Sequence, residues 1–196
     1  ITHAGELLQE ESTSQATGRL ISIIRENALR LDRMVKDVLE LSRRERGQLQ
    51  TVSLAAFLES FVEQFALSER TDRAIFEVDA PDSIEVKCNV EHLHRIVWNL
   101  CRNAWRHGSK GPASVRLTAS QDFGRIELRV ADDGPGVPDE LEAQLFEPFF
   151  TTYSGGTGLG LFIARELCSA NGAELAYVGT RQGGATFRVL WLTNRS

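Results

Sequence analysis

The stretch Val130-Ala131-Asp132-Asp133-Gly134-Pro135-Gly136-Val137-Pro138 joins an apolar, strand-like segment to a turn that contains two glycines. Because glycine has no Cβ atom, Gly134 and Gly136 allow the backbone to approach a flat ligand closely. The carboxylate of Asp132 can accept a hydrogen bond from an exocyclic amine, such as the N6 amine of adenine. Asp-Gly and Pro-Gly are also ordinary turn dipeptides. Taken alone, this stretch is compatible with a ligand site or with a simple turn.

Two asparagines precede this stretch on a predicted helix. Asn99 and Asn103 are four residues apart and therefore share one helix face. Their amide oxygens are suitable ligands for a Mg²⁺ ion that is already neutralised by phosphates. The guanidinium of Arg106, three residues beyond Asn103, suits a phosphate oxygen. Two asparagines on a helix are common, so this pattern alone does not establish a metal site.

Two further motifs follow the strand. Residues 145–152, Leu-Phe-Glu-Pro-Phe-Phe-Thr-Thr, contain three phenylalanines that could hinge a lid or simply anchor a core. Residues 154–161, Ser-Gly-Gly-Thr-Gly-Leu-Gly-Leu, lie directly before a predicted helix. Their glycines can expose backbone N–H groups at the helix N-terminus, where the helix dipole favours phosphate. The spacing is that of neither a Walker A loop nor a Rossmann fingerprint.

Helices and strands are mixed without strict alternation in the second part of the chain. Ser53 and Asn89 are predicted helix N-caps, and Gly108 and Asn171-Gly172 are predicted helix stops. Helices are predicted from Ser53 onward, over 90–107 and over 158–170, and strands over 74–79, 84–88, 113–120, 125–131, 174–178 and 185–192. This order favours an α/β sandwich in which helices cover one face of a sheet.

The first 50 residues have a different pattern. From residue 15 to residue 46, apolar side chains recur in a heptad seam that also contains one asparagine. The seam consists of Leu20, Ile24, Asn27, Leu31, Met34, Val38 and Leu41. Such a helix is about 45 Å long and has to bury its seam against other helices. We expect an antiparallel hairpin with a shorter stretch that ends near Leu8, and dimerisation of this hairpin into a bundle.

The composition excludes several classes. Hydrophobic residues make up 42% and charged residues 25% of 196 residues, which is typical of a folded globular chain. The formal net charge of −5 is not that of a protein that coats nucleic acid or an anionic membrane. The three cysteines, Cys88, Cys101 and Cys168, fit neither a disulfide framework nor a zinc knuckle.

In this order, the motifs resemble those of sensor histidine kinases, and the resemblance covers nearly the whole chain. Residues 99–103 resemble the N box, 132–136 the G1 box, 146–150 the F box and 156–160 the G2 box. The local sequences around residues 2–8, 38–44 and 98–107 are most similar to those of pilus-regulating (PilS-like) and nitrogen-regulating sensor kinases. The resemblance implies a Bergerat (GHKL) ATP-binding α/β sandwich over residues 51–196. It also implies a partial dimerisation and histidine-phosphotransfer hairpin over residues 1–50.

The resemblance also implies roles for individual residues. Asn103 and Asn99 would hold Mg²⁺, Arg106 would contact phosphate, and His107 would lie on the phosphate or ribose side. Asp132 would bind the adenine amine beside Gly134 and Gly136, and Thr186 would face the adenine. Residues 137–157 would form a mobile ATP lid, with Phe146, Phe149 and Phe150 in its F box. The remaining phosphate contacts would come from the backbone N–H groups of Thr157, Gly158, Leu159 and Gly160.

Two positions depart from the family pattern. His3 is followed by Ala-Gly-Glu-Leu, and not by the acidic residue that follows the phospho-accepting histidine of the family. We therefore expect the acceptor histidine upstream of this sequence, no catalytic acceptor within it, and no self-phosphorylation. Tyr153 stands where many relatives have a lysine, so either Arg106 or another group such as Arg165 would contact the γ-phosphate, or the lid would be weaker. A response regulator is the expected partner, and the cytoplasmic side of a bacterial inner membrane the expected location.

Two alternatives remain at this point. One is a GHKL-type ATPase, in which a glutamate activates water, although the nearest candidate, Glu91, is eight residues before Asn99. The other is a degenerate nucleotide-binding dimerisation module, which the missing acceptor and Tyr153 would suit. Multiple-turnover ATP hydrolysis would support the first alternative, and absence of nucleotide binding would support the second.

Overall fold

A computed structural model describes residues 15–42, 48–153, 155–179 and 183–192. The chain divides into two compact units. One comprises Ile1–Glu45 and Glu147–Leu159, and the other comprises Arg46–Phe146 and Gly160–Ser196.

In the first unit, helix α1 spans Gln15–Ser42, as the heptad pattern predicts. Its seam residues Leu20, Ile24 and Leu31 are 61%, 54% and 59% exposed. The side-chain amide of Asn27 donates to the Ile23 carbonyl, at 2.8 Å. Among the described residues, none covers these three seam side chains. The predicted first arm of the hairpin and residues 43–46 lie outside the described residues, so the hairpin and its dimerisation stay predictions.

The second unit contains a mixed five-stranded sheet. Its order is β2-β4-β5-β7-β6, with β2 parallel to β4 and the other neighbours antiparallel. The strands are β2 Phe76–Asp79, β4 Val115–Asp122, β5 Arg125–Asp132, β6 Ala173–Tyr177 and β7 Thr186–Leu192. Two further strands, β1 Gln50–Ser53 and β3 Glu85–Cys88, form a separate antiparallel pair. The sequence predicts no strand at β1, which begins one residue before the predicted domain boundary.

Helices cover one face of this sheet, as the sequence predicts. Helix α2 spans Leu54–Glu69 and contacts β2 and β4, α3 spans Val90–His107 and contacts β5, and α5 spans Gly160–Ala170 and contacts β6. A short helix, α4 Asp139–Glu142, was not predicted. Alternate strand residues such as Leu117, Leu128 and Val189 are fully buried. Residues on the opposite face, such as Arg116 and Arg129, are exposed, which fits a sheet with one solvated face.

The helix caps follow the prediction. The Asn89 side chain accepts hydrogen bonds from the backbone N–H groups of Glu91 and His92, at 2.9 and 3.3 Å. The Ser53 hydroxyl accepts from the Ala56 N–H at 3.5 Å, which is at the long limit for such a bond. Both residues are confirmed as N-caps of α3 and α2.

The difference between these two caps leads to a stability prediction. Asn89→Ala should lower the free energy of unfolding by about 1–2 kcal/mol, because it removes two capping bonds at a buried position. Ser53→Ala should lower it by only about 0.5 kcal/mol, since its capping bond is long. Urea denaturation of both variants measures the difference. Equal losses would contradict this ranking.

Candidate functional site

Asp132 is the last residue of β5 and is 9% exposed. Its Oδ1 atom accepts hydrogen bonds from the backbone N–H groups of Gly134 and Ala185, at 2.9 and 3.2 Å. Its Oδ2 atom is buried and has no hydrogen-bond partner among the described residues. A buried carboxylate oxygen without a donor is costly, so this atom is an unused acceptor. It fits a ligand that brings an N–H group, such as the adenine amine.

The surroundings of Asp132 act on its ionisation in both directions. Burial raises the pKa of its carboxyl, while the N–H groups of Gly134 and Ala185 and the nearby His107 oppose this shift. The neighbouring carboxylate of Asp133 adds to the rise in pKa. The net result is a pKa above the usual value for Asp. The ability of Asp132 to act purely as an acceptor therefore depends on pH.

The glycines around Asp132 are needed for backbone packing. A Cβ atom on Gly134 would lie 2.4 Å from the His107 carbonyl oxygen. Gly136 and Gly184 have φ values of +79° and +82°, which L side chains rarely adopt. A Cβ atom on Gly184 would lie 1.9 Å from the Asp132 carbonyl oxygen. This packing explains the glycines without a ligand, so their predicted contact with the purine stays a prediction.

Helix α3 ends against the turn that follows Asp132. The contact between Gly134 and the His107 carbonyl places the last turn of α3, with Asn103 and Arg106, next to this turn. One helical turn earlier, the Asn99 Oδ1 atom lies 3.2 Å from where Gly160 would carry a Cβ atom. Asn99, Asn103 and Arg106 are half-buried, and His107 is exposed. The structure thus places the C-terminal end of the N-box helix beside the turn that follows Asp132, within the second unit.

Thr186 has a different position from Asp132 in the sheet. It pairs with Ala131, and alternate residues of a strand point to opposite faces, so Thr186 does not share the face of Asp132. The residue that contacts the Asp132 carboxylate is Ala185, through its backbone N–H. Thr186 is itself buried, and its predicted contact with adenine stays a prediction.

The G2-box residues Thr157, Gly158 and Leu159 belong to the first unit, with most of the F box. The Phe149 N–H donates to the Gly158 carbonyl at 2.9 Å, and the Leu159 N–H donates to the Thr157 hydroxyl at 3.3 Å. Gly158 has φ +72°, and a Cβ atom there would lie 2.3 Å from the Phe149 carbonyl carbon. This positive φ explains why α5 begins at Gly160, two residues later than predicted.

Phe146 lies in the second unit. It packs edge to face on Phe187, with ring centroids 6.3 Å apart. The Arg165 guanidinium lies 5.3 Å from the centroid of the Phe146 ring. Phe146 is therefore an anchor within the predicted lid of residues 137–157, and Arg165, predicted as a possible phosphate contact, stacks on this anchor.

Sequence reasoning did not assign roles to Ala185, Ser109 or Asp133. Ala185 contacts Asp132 through its backbone N–H, and a backbone contact of this kind cannot be recognised from the residue type. The Asp133 carboxylate accepts hydrogen bonds from Ser109, which belongs to the connection after α3. Only the polar character of Ser109 and Asp133, 24 residues apart, could have indicated this pairing.

Helix α3 and the remaining described helices are not long and apolar enough to cross a membrane. His3 lies outside the described residues.

Residues 88–195 match the family described as histidine kinase-, DNA gyrase B-, and HSP90-like ATPases. The chain belongs to this ATPase family. The matched residues contain Asp132, the N-box helix and both glycine-rich stretches, which confirms the GHKL α/β fold predicted from the sequence. Glu91, the glutamate of the alternative ATPase reading, lies in the first turn of α3 and is exposed.

Known relatives of this ATPase chain are sensor kinases. It is 36% identical over 194 residues to the sensor protein kinase PilS of Pseudomonas aeruginosa, covering 96% of this chain and 37% of PilS. It is 30% identical over 177 residues to the sensor histidine kinase ZraS of Escherichia coli K12, covering 89% of this chain and 37% of ZraS. The chain thus spans little more than a third of these relatives. The resemblance to a sensor histidine kinase catalytic core is confirmed.

A solved structure gives the same result. Full-length ShkA in complex with AMPPNP matches with a TM-score of 0.69 and 27% identity. The match covers 100% of this chain and 43% of ShkA.

Proposed function

We propose that this chain binds Mg-ATP as the catalytic core of a sensor histidine kinase. The observation that carries the proposal is the buried Oδ2 atom of Asp132, which has no donor among the described residues, while Oδ1 is satisfied twice. An adenine N6 amine would supply the missing donor, and a 6-keto purine would not. The family match and the sensor kinase relatives support the same ligand.

Other residues of the family motifs would contact the rest of the nucleotide. Asn103 and Asn99 would hold Mg²⁺ through their amide oxygens, Arg106 would contact phosphate, and His107 would lie on the phosphate or ribose side. The backbone N–H groups of Thr157, Gly158, Leu159 and Gly160 would meet the phosphates, with residues 137–157 as the lid. Residues 1–50 would form part of the dimerisation hairpin, and residues 51–196 the catalytic domain.

The proposed reaction transfers the γ-phosphate of ATP to a histidine nitrogen. A response regulator aspartate would then receive the phosphate. Such transfers depend mainly on positioning and on stabilisation of charge, and Mg²⁺ supplies part of that stabilisation when bound. The half-buried Asn103 and Arg106 would orient the phosphates of a nucleotide whose adenine is bound at Asp132. Dimerisation through the hairpin and a location at the bacterial inner membrane are part of this proposal.

Calorimetric titration of the chain with ATP and GTP, each with Mg²⁺ or EDTA, tests this proposal. We expect binding that is selective for ATP and stronger with Mg²⁺. Asn103→Ala should lower the affinity for Mg-ATP by about tenfold, since it removes one neutral metal ligand. Asn27→Ala, whose side chain bonds to its own helix, should bind as the unchanged chain does. Equal affinity for ATP and GTP, or no binding at all, would contradict the proposal.

A further inference from the structure

Asp133 holds both ends of the connection between α3 and β4. Its Oδ1 atom accepts a hydrogen bond from the Ser109 backbone N–H at 2.8 Å, and its Oδ2 atom accepts from the Ser109 hydroxyl at 2.6 Å. Its own N–H donates to the Ser114 carbonyl at 3.2 Å. A single residue of the glycine turn thereby closes the loop that runs from Ser109 to Ser114.

The Asp133 carboxylate is well suited to this contact. The hydrogen bonds from the Ser109 hydroxyl and N–H hold the pKa of Asp133 below its usual value, so the carboxylate is charged at neutral pH. Hydrogen bonds to a charged acceptor are stronger than those between neutral groups. Because Ser109 supplies two donors and the Asp133 carboxylate supplies the two acceptor oxygens, the contact also restricts the orientation of the two residues.

The contact lies where α3 meets the turn. The Gly108 N–H donates to the Ala104 carbonyl at 2.8 Å and ends the helix. A Cβ atom on Gly108 would lie 3.1 Å from the Asp133 Oδ1 atom. One residue earlier in α3, the His107 carbonyl oxygen packs against Gly134. The end of α3 is thus held against the turn at two adjacent points, by packing at Gly134 and by hydrogen bonds at Asp133.

We propose that Asp133 is a positioning residue, which fixes the last turn of α3 relative to Asp132. This inference rests on the proposed function, in which Asp132 binds the adenine, Asn103 binds Mg²⁺ and Arg106 contacts the phosphates. A single nucleotide makes both sets of contacts at once, and it binds most tightly when the separation of these contacts is already fixed in the protein. Asp133 therefore affects the binding of the whole nucleotide more than the binding of its adenine part.

Affinities for Mg-ATP and for adenosine, measured by calorimetry, test this inference. Asp133→Ala should weaken Mg-ATP binding by about tenfold, from the loss of two hydrogen bonds, and adenosine binding by less than about twofold. Asp133→Asn should restore binding, because its Oδ1 can accept from the Ser109 N–H while its amide donates to the Ser109 hydroxyl. Ser109→Ala should weaken Mg-ATP binding by about threefold, and adding it to Asp133→Ala should cause no further loss.

Three results would overturn the inference. Unchanged Mg-ATP affinity in Asp133→Ala would do so while leaving the proposed function intact. Equal losses for Mg-ATP and adenosine would do so as well, since they would indicate general destabilisation of the fold. No binding of ATP or adenosine by the unchanged chain would overturn the proposed function and this inference together. If Asp133→Ala does not fold, Ser109→Ala with the same two ligands gives the decision.

Discussion

Replacement of Asp132 by Asn is expected to lower the affinity for ATP by about 100-fold, the largest effect on binding expected of any single substitution in this site. The Asn Oδ1 atom would keep the hydrogen bonds from the Gly134 and Ala185 N–H groups. The side-chain Nδ2 group would then replace the unpartnered Oδ2 atom and would bring a donor against the donor of the adenine amine. Calorimetric titration with ATP measures the loss.

The same substitution should change the preference between purines. Inosine triphosphate carries an acceptor oxygen where ATP carries the amine, so it would match the Asn Nδ2 donor. We expect the preference for ATP over inosine triphosphate to disappear or to reverse in Asp132→Asn. Asp133→Asn, one residue away, is the matched control and should keep the preference for ATP. Retention of ATP selectivity in Asp132→Asn would exclude direct recognition of the purine by this carboxylate.

The loss of binding in Asp132→Asn should not come from unfolding. Burial raises the pKa of Asp132 in the folded chain, so protonation of this group favours the folded state. Its contribution to stability is therefore present at low pH and is lost as the pH rises through the raised pKa. At neutral pH the charged Asp132 opposes folding, and a neutral Asn removes this cost. Thermal unfolding at pH 7 should show no large drop in Tm.

The ATP affinity of the unchanged chain should change with pH in the direction opposite to the stability contribution of Asp132. A protonated Asp132 places a donor on its carboxyl and can no longer act purely as an acceptor for the adenine amine. ATP affinity should therefore fall as the pH drops, beginning at a higher pH than an ordinary Asp would give. Asp132→Asn should lack this dependence. Titrations from neutral to acidic pH, over the range in which Tm shows that the chain stays folded, measure it.

Local sequence signals predicted the helices of the second unit well. Helix α3 has the bounds expected from its apolar period, because Asn89 caps it and Gly108 ends it. Helix α5 begins later than expected, because the positive φ of Gly158 is incompatible with a helix. The predicted strand over 74–79 is shorter, because the Asp72 side chain caps a 3₁₀ turn at Arg73–Ile75.

Pairing between distant segments could not be predicted from local signals. Strands β2 and β3 are adjacent in sequence but lie in different sheets, since β2 pairs with β4 and β3 pairs with β1. The position of Thr186 depends on register, and a shift of one residue reverses the face of every side chain. The Asp132 motif was recognisable because carboxylate and glycines are contiguous. The contact between Ser109 and Asp133 joins residues that are far apart in sequence.

The substitution Gly184→Ala is expected to have the largest effect on stability and to disturb the site at the same time. Its Cβ atom would lie 1.9 Å from the Asp132 carbonyl oxygen, and its φ of +82° is strained for any L side chain. Strain and overpacking together should lower the free energy of unfolding by about 3 kcal/mol. Because β5 or the turn before β7 has to move, the Ala185 N–H should lose its bond to Asp132.

Gly172→Ala is the matched control, because it separates steric overlap from backbone strain. Gly172 also has a positive φ, +66°, but a Cβ atom there would meet nothing within 4 Å. It should therefore lower the free energy of unfolding by only about 1 kcal/mol and leave ATP affinity unchanged. Urea denaturation and ATP titration of both variants give the comparison. Equal destabilisation in the two variants would mean that the contact between Gly184 and Asp132 does not constrain the fold. A larger loss of both stability and ATP affinity in Gly184→Ala would establish that this one backbone contact holds the Asp132 carboxylate in place as the acceptor for adenine.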